Sequence, residues 1–358
     1  MQKLKNKVVS ALYLFSLTCS TLAHAGNELS YPQESHLKNM KQLTFGGDNA
    51  EAYWSFSGRE LVFQSNNKNW DAKCDQIFSL NVDANESELK TSNRISTGQG
   101  RTTCSYFMPD DQRIIYASTH LGGSDCPVEP DHSAGAYVWA IYDSYDIFVA
   151  NRKGEVLEQL TNTPGYDAEA TVSPLRDKIV FTSTRGGDLD LWIMDIDGTN
   201  QKQLTYGLGY DGGAFFSPDG KRILFRASRP ETEVEKDKYK KLLLQGLVEP
   251  TNMEIYLMDI DGTNLKKVTS LGRANWAPFF HPDGKRILFS SNHHSNKGRI
   301  FNIFMINEDG TGLEQVTYDT VFDAFPMFSP DGKRLSFSSN RNNGGSRDTN
   351  VFIAEWAE

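Results

Sequence analysis

Short apolar strands recur in pairs along the chain, and a Ser-Pro-Asp-Gly turn or a diverged copy of it joins each pair. The clearest copy is Phe215-Phe216-Ser217-Pro218-Asp219-Gly220-Lys221-Arg222-Ile223, and close copies surround Pro282 and Pro330. Pro sets φ early in the turn and Gly supplies the positive φ at its end, so each copy predicts a β-hairpin. Diverged copies around Phe56, Pro109 and Pro174 bring the number of repeats to six.

A second hairpin follows each first one. In the third repeat its first strand is Leu191-Trp192-Ile193-Met194, its turn is Asp197-Gly198, and its last strand ends at Leu204-Thr205. Each repeat is therefore a four-stranded meander, which cannot bury both faces alone, whereas repeats arranged radially bury a continuous core. The predicted fold is all-β: a six-bladed β-propeller of four-stranded antiparallel blades.

The two ends of the chain share one blade in this prediction. The C-terminal segment Val351-Phe352-Ile353-Ala354-Glu355-Trp356 matches the third strand of a repeat, so the sixth blade lacks its fourth. Near the N-terminus, Leu37-Lys38-Asn39-Met40-Lys41-Gln42-Leu43-Thr44 resembles fourth strands such as Leu265-Lys266-Lys267-Val268-Thr269. We expect this strand to complete the last blade and close the ring, which removes an open sheet edge.

The first residues are typical of a secretory signal peptide. Lys3, Lys5 and Lys7 precede an apolar stretch, and Ala23-His24-Ala25 offers a small-residue cleavage site. The predicted divisions are a signal peptide at 1–25, a short linker at 26–35 and the propeller at 36–358. Cys19 would suit a lipoprotein signal, but the residues before it match poorly, so a periplasmic or secreted protein with no transmembrane segment is expected.

Charge narrows the class of partner. The whole chain has a formal charge of −9, and removing the leader takes three Lys and no acids, which leaves 34 basic and 46 acidic residues and a charge of −12. Such a surface argues against nucleic acid or an anionic membrane. The expected partner of this monomeric propeller is a protein, a peptide or an envelope polymer.

Three cysteines remain after the leader: Cys74, Cys104 and Cys126. In an oxidising compartment one pair is expected to form a disulfide and one thiol is left over, with all three pairings open. No Cys-x-x-Cys or His-x-x-x-His spacing suggests zinc, and no cofactor is predicted. Calcium or another divalent cation held by channel carboxylates is the alternative.

The spacing of the repeats reveals two insertions. The turn positions lie 53, 65, 44, 64 and 48 residues apart, so blades two and four carry extra residues at about 120–145 and 229–254. Both insertions follow a second strand and therefore emerge at the mouth where every first strand begins. The stretch from Glu233 to Leu244 favours a helix, with Glu-to-Lys pairs and Gly246 beyond its end. The expected lid residues are Tyr137, Trp139, Tyr142 and Tyr239.

Alignment of the repeats predicts two polar rings at this mouth. The inner ring begins the first strands beside the axis, and Glu51 and Glu169 follow two residues later with the same facing. Pairing between rings would lock the blades, but the same charges could bind a ligand or peptide terminus, or hold a cation. The inner ring is Asn49, Thr102, Asp167, Asp211, Asn275 and Asp323, and the ring ending the second strands includes His120, Arg185, Arg229, His293 and Arg341.

The Ser-Pro-Asp-Gly-Lys-Arg and Met-Asp-x-Asp-Gly-x-Asn phrases resemble the repeats of the TolB-type six-bladed propeller of bacterial envelopes. The resemblance covers roughly residues 36–356 and implies the fold. Similar repeats occur in propellers attached to prolyl-oligopeptidase-like hydrolases and in stand-alone exported proteins, so the resemblance does not imply one function. Because only the short linker precedes the first strand, the N-terminal domain of TolB has no counterpart, and a stand-alone exported member is expected.

These features favour a binding scaffold that captures a protein or ligand at the loop-decorated mouth. One alternative is an accessory propeller for a separate exported peptidase or hydrolase. Another is a metal-dependent hydrolase or lyase that uses the channel carboxylates Glu51, Asp167, Glu169 and Asp211. The chain has no Gly-x-Ser-x-Gly nucleophile elbow and no room for an α/β hydrolase domain, so no catalytic residue is predicted and a non-enzymatic role is favoured.

Overall fold

The computed structural model describes residues 29–91, 93–131 and 137–358. The predicted signal peptide and the first three residues of the linker lie outside these ranges. Six four-stranded antiparallel sheets form the six blades of a propeller, which confirms the predicted fold class.

The strands of each blade follow one another in the chain, and β1 (Leu37–Gln42) precedes them all. Blades one to three are β2 (Asn49–Trp54), β3 (Glu60–Ser65), β4 (Gln76–Asn81) and β5 (Asn93–Arg94); β6 (Thr102–Phe107), β7 (Arg113–Ser118), β9 (Asp146–Asn151) and β10 (Val156–Gln159); and β11 (Asp167–Val172), β12 (Lys178–Ser183), β13 (Asp190–Asp195) and β14 (Lys202–Gln203). Blades four to six are β15 (Asp211–Phe216), β16 (Arg222–Ser228), β18 (Met253–Asp259) and β19 (Lys266–Lys267); β20 (Asn275–Phe280), β21 (Arg286–Ser291), β22 (Asn302–Asn307) and β23 (Glu314–Gln315); and β24 (Asp323–Phe328), β25 (Arg334–Ser339), β26 (Asn350–Trp356) and β1. Other elements are β8 (Trp139–Ala140), β17 (Leu247–Val248), α1 (Glu86–Leu89), α2 (Glu233–Leu243) and a short 3-10 helix (Lys68–Trp70).

The Ser-Pro-Asp-Gly turns form as their residues dictate. In blade four, Gly220 has φ +69° and its N–H donates to the carbonyl of Ser217 at 2.8 Å. The Ser217 hydroxyl accepts the N–H of Arg222 at 3.0 Å, and the Asp219 carboxylate accepts the N–H of Lys221. These bonds are all local, so the residues of the turn themselves favour the hairpin.

The N-terminal strand closes the ring as expected. β1 pairs antiparallel with β26, with Leu37 opposite Trp356 and Gln42 opposite Phe352. At the seam between blades six and one, the Trp54 indole donates to the Met327 carbonyl at 3.1 Å. The last blade is therefore built from both ends of the chain.

The core lies between neighbouring blades. Each second strand contributes one aromatic side chain that is fully buried, because strand alternation points it into the space between sheets. These side chains are Phe63, Tyr116, Phe181, Phe225, Phe289 and Phe337.

Candidate functional site

The two insertions meet above one mouth of the propeller. β8, from the blade-two insertion, pairs antiparallel with β17, from the blade-four insertion, so that Ala140 lies opposite Leu247. The N–H of Ile141 adds a hydrogen bond of 2.7 Å to the carbonyl of Gly246, whose φ of +68° suits glycine. We call this two-stranded link the strap.

The helix α2 stands beside the strap on the blade-four insertion. Thr232 caps its N-terminus and Glu235 returns the bond to the Thr232 N–H, which forms a capping box. Tyr239 is the buried residue of the helix, and its hydroxyl donates to Asp188 of blade three. This hydrogen bond and the packing of the partly buried Leu243 on the neighbouring core hold the helix against blade three.

An open cleft of about 1320 Å³ lies between the two insertions, with blade three as its floor. Side chains from both walls and the floor are exposed although apolar: Val128 at 89%, Leu244 at 88% and Tyr206 at 74%. The packing of the blades does not require exposed apolar residues around a concavity. We refer to this feature as the insertion cleft.

The insertion cleft is acidic. Its charged lining residues are Glu129, Asp143, Asp188 and Asp190, against the single cation Lys240. Burial, with Asp211 and then Asp188 nearby, raises the pKa of Asp190 to about 7. Asp190 accepts hydrogen bonds from Gln203 at 2.9 Å and Thr205 at 3.2 Å, so the floor of the cleft is a polar surface.

The inner-ring residues are buried in the structure. All six side chains at the starts of the first strands are buried, with exposures of 0 or 1%, so none of them faces an open mouth. Three donate to backbone of the preceding blade: Asn49 to Thr349, Thr102 to Asp75 and Asn275 to Met253, at 2.8 to 3.0 Å. These three residues link blades six and one, one and two, and four and five.

The arginines that end the second strands form ion pairs with aspartates of the inner ring. Arg185 pairs with Asp167 at 2.6 Å, Arg341 with Asp323 at 2.8 Å, and Arg229 with Asp211, each within one blade. Burial raises the pKa of Asp211 to about 6 although Arg229 opposes the shift.

The two histidines of this ring turn back onto their own strands. His120 lies 2.9 Å from the Ser118 hydroxyl, and His293 lies 2.8 Å from the Ser291 hydroxyl. Burial lowers the pKa of both imidazoles, which disfavours their charged form.

Arg341 also binds a residue that the sequence did not single out. The linker residue Glu34 lies 3.0 Å from the guanidinium and is buried, and Asp319 lies 3.7 Å away. Three carboxylates therefore surround one arginine where the linker reaches the ring.

A bulge in every first strand decides what lines the channel. Its residue has left-handed φ, between +44° and +59°, and the pairing register shifts at each site. The side chains at these positions border a small channel cavity of about 30 Å³. The six residues are Glu51, Cys104, Glu169, Gly213, Ala277 and Phe325.

Arg226 is the channel cation, and the sequence alignment missed it because it lies inside a second strand. Its guanidinium pairs with Glu169 at 2.5 Å and donates to the Tyr210 hydroxyl at 2.6 Å. Although burial alone would raise it, Arg226 and the Tyr210 hydroxyl hold the pKa of Glu169 below its ordinary value. Burial raises the pKa of Glu51 to about 7 despite a hydrogen bond with Cys104.

The blade-two insertion covers this end of the channel. Trp139 places its ring 5.4 Å from the Arg226 guanidinium and packs on Trp276 at 5.3 Å. Tyr137 stacks on the outer side of Trp276, whereas the Tyr142 hydroxyl donates to the Val128 carbonyl beside the insertion cleft. Of the four expected lid residues, two cover the channel and Tyr142 and Tyr239 border the cleft.

Cys74 and Cys126 form the disulfide, and Cys104 is the free thiol. The bond ties the approach to β4 in blade one to the start of the blade-two insertion. Burial, followed by Glu51 and Glu169, raises the pKa of the Cys104 thiol.

Within the described ranges, no three His, Cys, Asp or Glu side chains come together to hold a metal ion. The carboxylates considered for a channel cation are spread over different partners: Asp167 and Asp211 on their own arginines, and Glu169 on Arg226. In the same part of the chain, no helix combines the length and apolarity needed to cross a bilayer.

A family model described as the TolB beta propeller domain matches residues 124–245 and 247–348. The chain belongs to this family. A search of curated protein sequences finds no significant match.

Solved structures with the same fold belong to proteins with different functions. A putative TolB from Agrobacterium tumefaciens is 18% identical with a TM-score of 0.56, over 87% of this chain and 91% of that one. A gluconolactonase from Xanthomonas campestris is 13% identical with a TM-score of 0.56, over 90% and 91%. An oligogalacturonate lyase from Vibrio parahaemolyticus is 10% identical with a TM-score of 0.51, over 88% and 93%. At these identities the likeness concerns the fold, and function must be argued from this member's own sites.

Proposed function

We propose that this TolB-family propeller is an exported binding scaffold that captures a segment of a partner protein in the insertion cleft. The observation that carries the proposal is the strap: two insertions that ring closure does not require pair with each other and frame the cleft. Export is inferred from the leader-like N-terminal sequence.

Exposed apolar side chains support a protein partner. Val128, Leu244 and Tyr206 come from three separate segments and surround one concavity. Protein interfaces combine apolar and aromatic anchors of this kind with a polar rim. A partner bound in the cleft would remove the apolar surface of these side chains from water.

The charge of the insertion cleft predicts the sign of the charge on the partner segment. Glu129 already pairs with Arg101 and Asp190 is only partly ionised at pH 7, but Asp143 and Asp188 still outnumber Lys240. The remaining negative charge favours a segment that carries Lys or Arg and disfavours an anionic polymer. Asp143 is exposed, and the charge reversal Asp143→Lys is expected to weaken capture of the partner. Lys240→Glu is the matched variant and is expected to strengthen it.

Site-specific photocrosslinking tests the proposal. A photoreactive residue at Leu244, and separately at Val128, is expected to form an adduct with one and the same protein in cell envelopes. Leu313, which is 41% exposed on blade five, is the control position. A partner that crosslinks from Leu313 but from neither cleft position, or no adduct at all, would contradict the proposal. If the partner is an exported peptidase or hydrolase, the chain is its accessory propeller.

A further inference from the structure

The mouth opposite the insertions holds a second, independent cavity. It has a volume of about 340 Å³ and lies where the first strands end in their turns. Its inner surface includes Tyr106, Phe215 and Phe279, and the turn prolines Pro218 and Pro282 form part of its rim. We call it the turn-face funnel. Its size is at the lower end of the range for small-ligand pockets, about 300 to 1,000 Å³.

Two residues in this funnel depart from the repeat. Phe56 stands where the other five copies have Pro, and Arg176 stands where most copies have Gly. The backbone is left-handed at this turn position in all six blades, and Arg176 has φ +67°. A side chain longer than that of glycine strains this conformation, so the sequence of blade three carries a cost that the consensus turn avoids. The residues at this position are Gly58, Asp111, Arg176, Gly220, Gly284 and Gly332.

The two departures meet in space although they come from blades one and three. The Arg176 guanidinium lies over the Phe56 ring, 5.1 Å from its centroid. Arg176 is exposed and is the charged residue among those lining the funnel. In the part of the chain that the structure describes, no carboxylate lies within ion-pairing distance of it.

A purely structural role for Arg176 accounts poorly for this arrangement. An exposed cation–π contact is weak, and it does not clearly exceed the strain that a left-handed arginine introduces. Asp111 of blade two already holds the turn of blade one, because its carboxylate accepts the N–H groups of Phe56 and Ser57 at 2.7 and 2.8 Å. The turn therefore does not depend on Arg176.

We propose that the turn-face funnel binds a small amphiphile with an apolar body and one carboxylate. The aromatic walls cover the apolar body, and the guanidinium of Arg176, which has no internal counter-ion, binds the carboxylate. This site is separate from the insertion cleft and does not rest on the function proposed for it.

Titration calorimetry with decanoate, below its micelle concentration, tests the proposal on the chain lacking its leader. Decanol and decyltrimethylammonium carry the same apolar chain with no charge or the opposite charge. Decanoate is expected to bind at least tenfold more tightly than either. Equal affinity for the three compounds, or no binding of decanoate, would overturn the proposal. Tighter binding of a peptide with a C-terminal Phe than of decanoate would also overturn it, because the occupant would then be a polypeptide.

Arg176→Gly restores the consensus turn and separates binding from stability. We expect a loss of at least tenfold in decanoate affinity with an unchanged or higher melting temperature, and partial recovery of affinity in Arg176→Lys. Lys221→Ala removes an exposed cation from the turn of blade four, outside the funnel, and is the control with unchanged affinity. A fall in melting temperature with unchanged affinity in Arg176→Gly would show that Arg176 is only a structural contact.

Discussion

Arg341 shows at the residue scale how a charge can hold this propeller together. It is 4% exposed and faces Glu34, Asp319 and Asp323, while its guanidinium also lies over the Phe337 ring at 5.1 Å. Removing one partner from a buried ionic group leaves the others without compensation. The arginine therefore matters more for stability than an exposed ion pair would.

Arg341→Met is expected to lower the free energy of unfolding at pH 7 by about 3–5 kcal/mol, because three buried carboxylates lose their cation. Urea denaturation followed by circular dichroism measures the change. Arg113→Met removes a partly exposed arginine that pairs with Asp110 and is expected to cost about 1 kcal/mol or less. Equal costs for the two variants would contradict this account.

Asp190 gives the folded protein a pH dependence with a defined sign. Its pKa is raised to about 7, whereas an unfolded aspartate titrates near pH 3.9. Between about pH 4 and 7 the folded state retains a proton that the unfolded state has lost, so stability falls as the pH rises through this window. Asp190→Asn is expected to flatten the slope and to be more stable than the parent at pH 8, by about 1–3 kcal/mol.

Urea denaturation at pH 5 and pH 8 checks this expectation. Asp143→Asn, at an exposed position in the same cleft, is the control and should keep the slope of the parent. A parallel slope for Asp190→Asn would show that Asp190 titrates at an ordinary pKa.

At the element scale, the disulfide and the strap organise the blade-two insertion from both of its ends. The Cys74–Cys126 bond fixes the start of the insertion to blade one, with Cα atoms 6.0 Å apart, and β8 fixes its later part to β17. An insertion held at two points can form one wall of the insertion cleft without a core of its own.

Replacing both Cys74 and Cys126 by Ser is expected to lower the free energy of unfolding by about 2–4 kcal/mol, since the bond constrains a long segment of the unfolded chain. Denaturation with and without a reductant measures this. Alkylation of the unreduced, denatured chain that starts at residue 29 should label Cys104 and neither Cys74 nor Cys126, and label on either of these two would contradict the pairing. Cys104→Ala leaves the disulfide intact and should retain the stability difference between oxidised and reduced protein.

At the scale of the whole molecule, one strand decides whether the ring is closed. β1 supplies the outer edge of blade six, and the Nζ of Lys41 in this strand donates to the carbonyls of Val82 and Ala84 in blade one, at 3.1 and 2.9 Å. The first and last blades are thus joined by side chains as well as by the sheet.

Deletion of residues 35–44 is expected to abolish cooperative unfolding, because the last blade loses its outer strand and its edge becomes exposed. Differential scanning calorimetry gives the readout. A chain that starts at residue 29 keeps β1 and Glu34 and is the matched control, expected to unfold in one transition. Cooperative melting of the deletion variant at the temperature of this control would refute the role of β1.

The sequence by itself determined the blades, the turns and the closing strand, because these depend on local signals. The signals are the alternation of apolar residues, the backbone φ values that Pro and Gly favour, and the six copies of the repeat, which give the number of blades. It also placed the helix near Glu233, since the Glu-to-Lys pairs and the Gly246 stop signal act within a few residues of chain. It could not assign the thiol, because all three cysteines suit the same local pattern.

Only the tertiary structure decided which side chains line the channel and which residues of different blades meet. The bulges put Glu51 and Glu169 on the channel and left the inner ring buried, since a one-residue shift in register changes which face a side chain occupies. The approach of Arg226 to Glu169, of Ala140 to Leu247 and of Arg176 to Phe56 joins residues from different blades. Such contacts depend on how whole sheets pack around the axis, which no local pattern in the chain encodes.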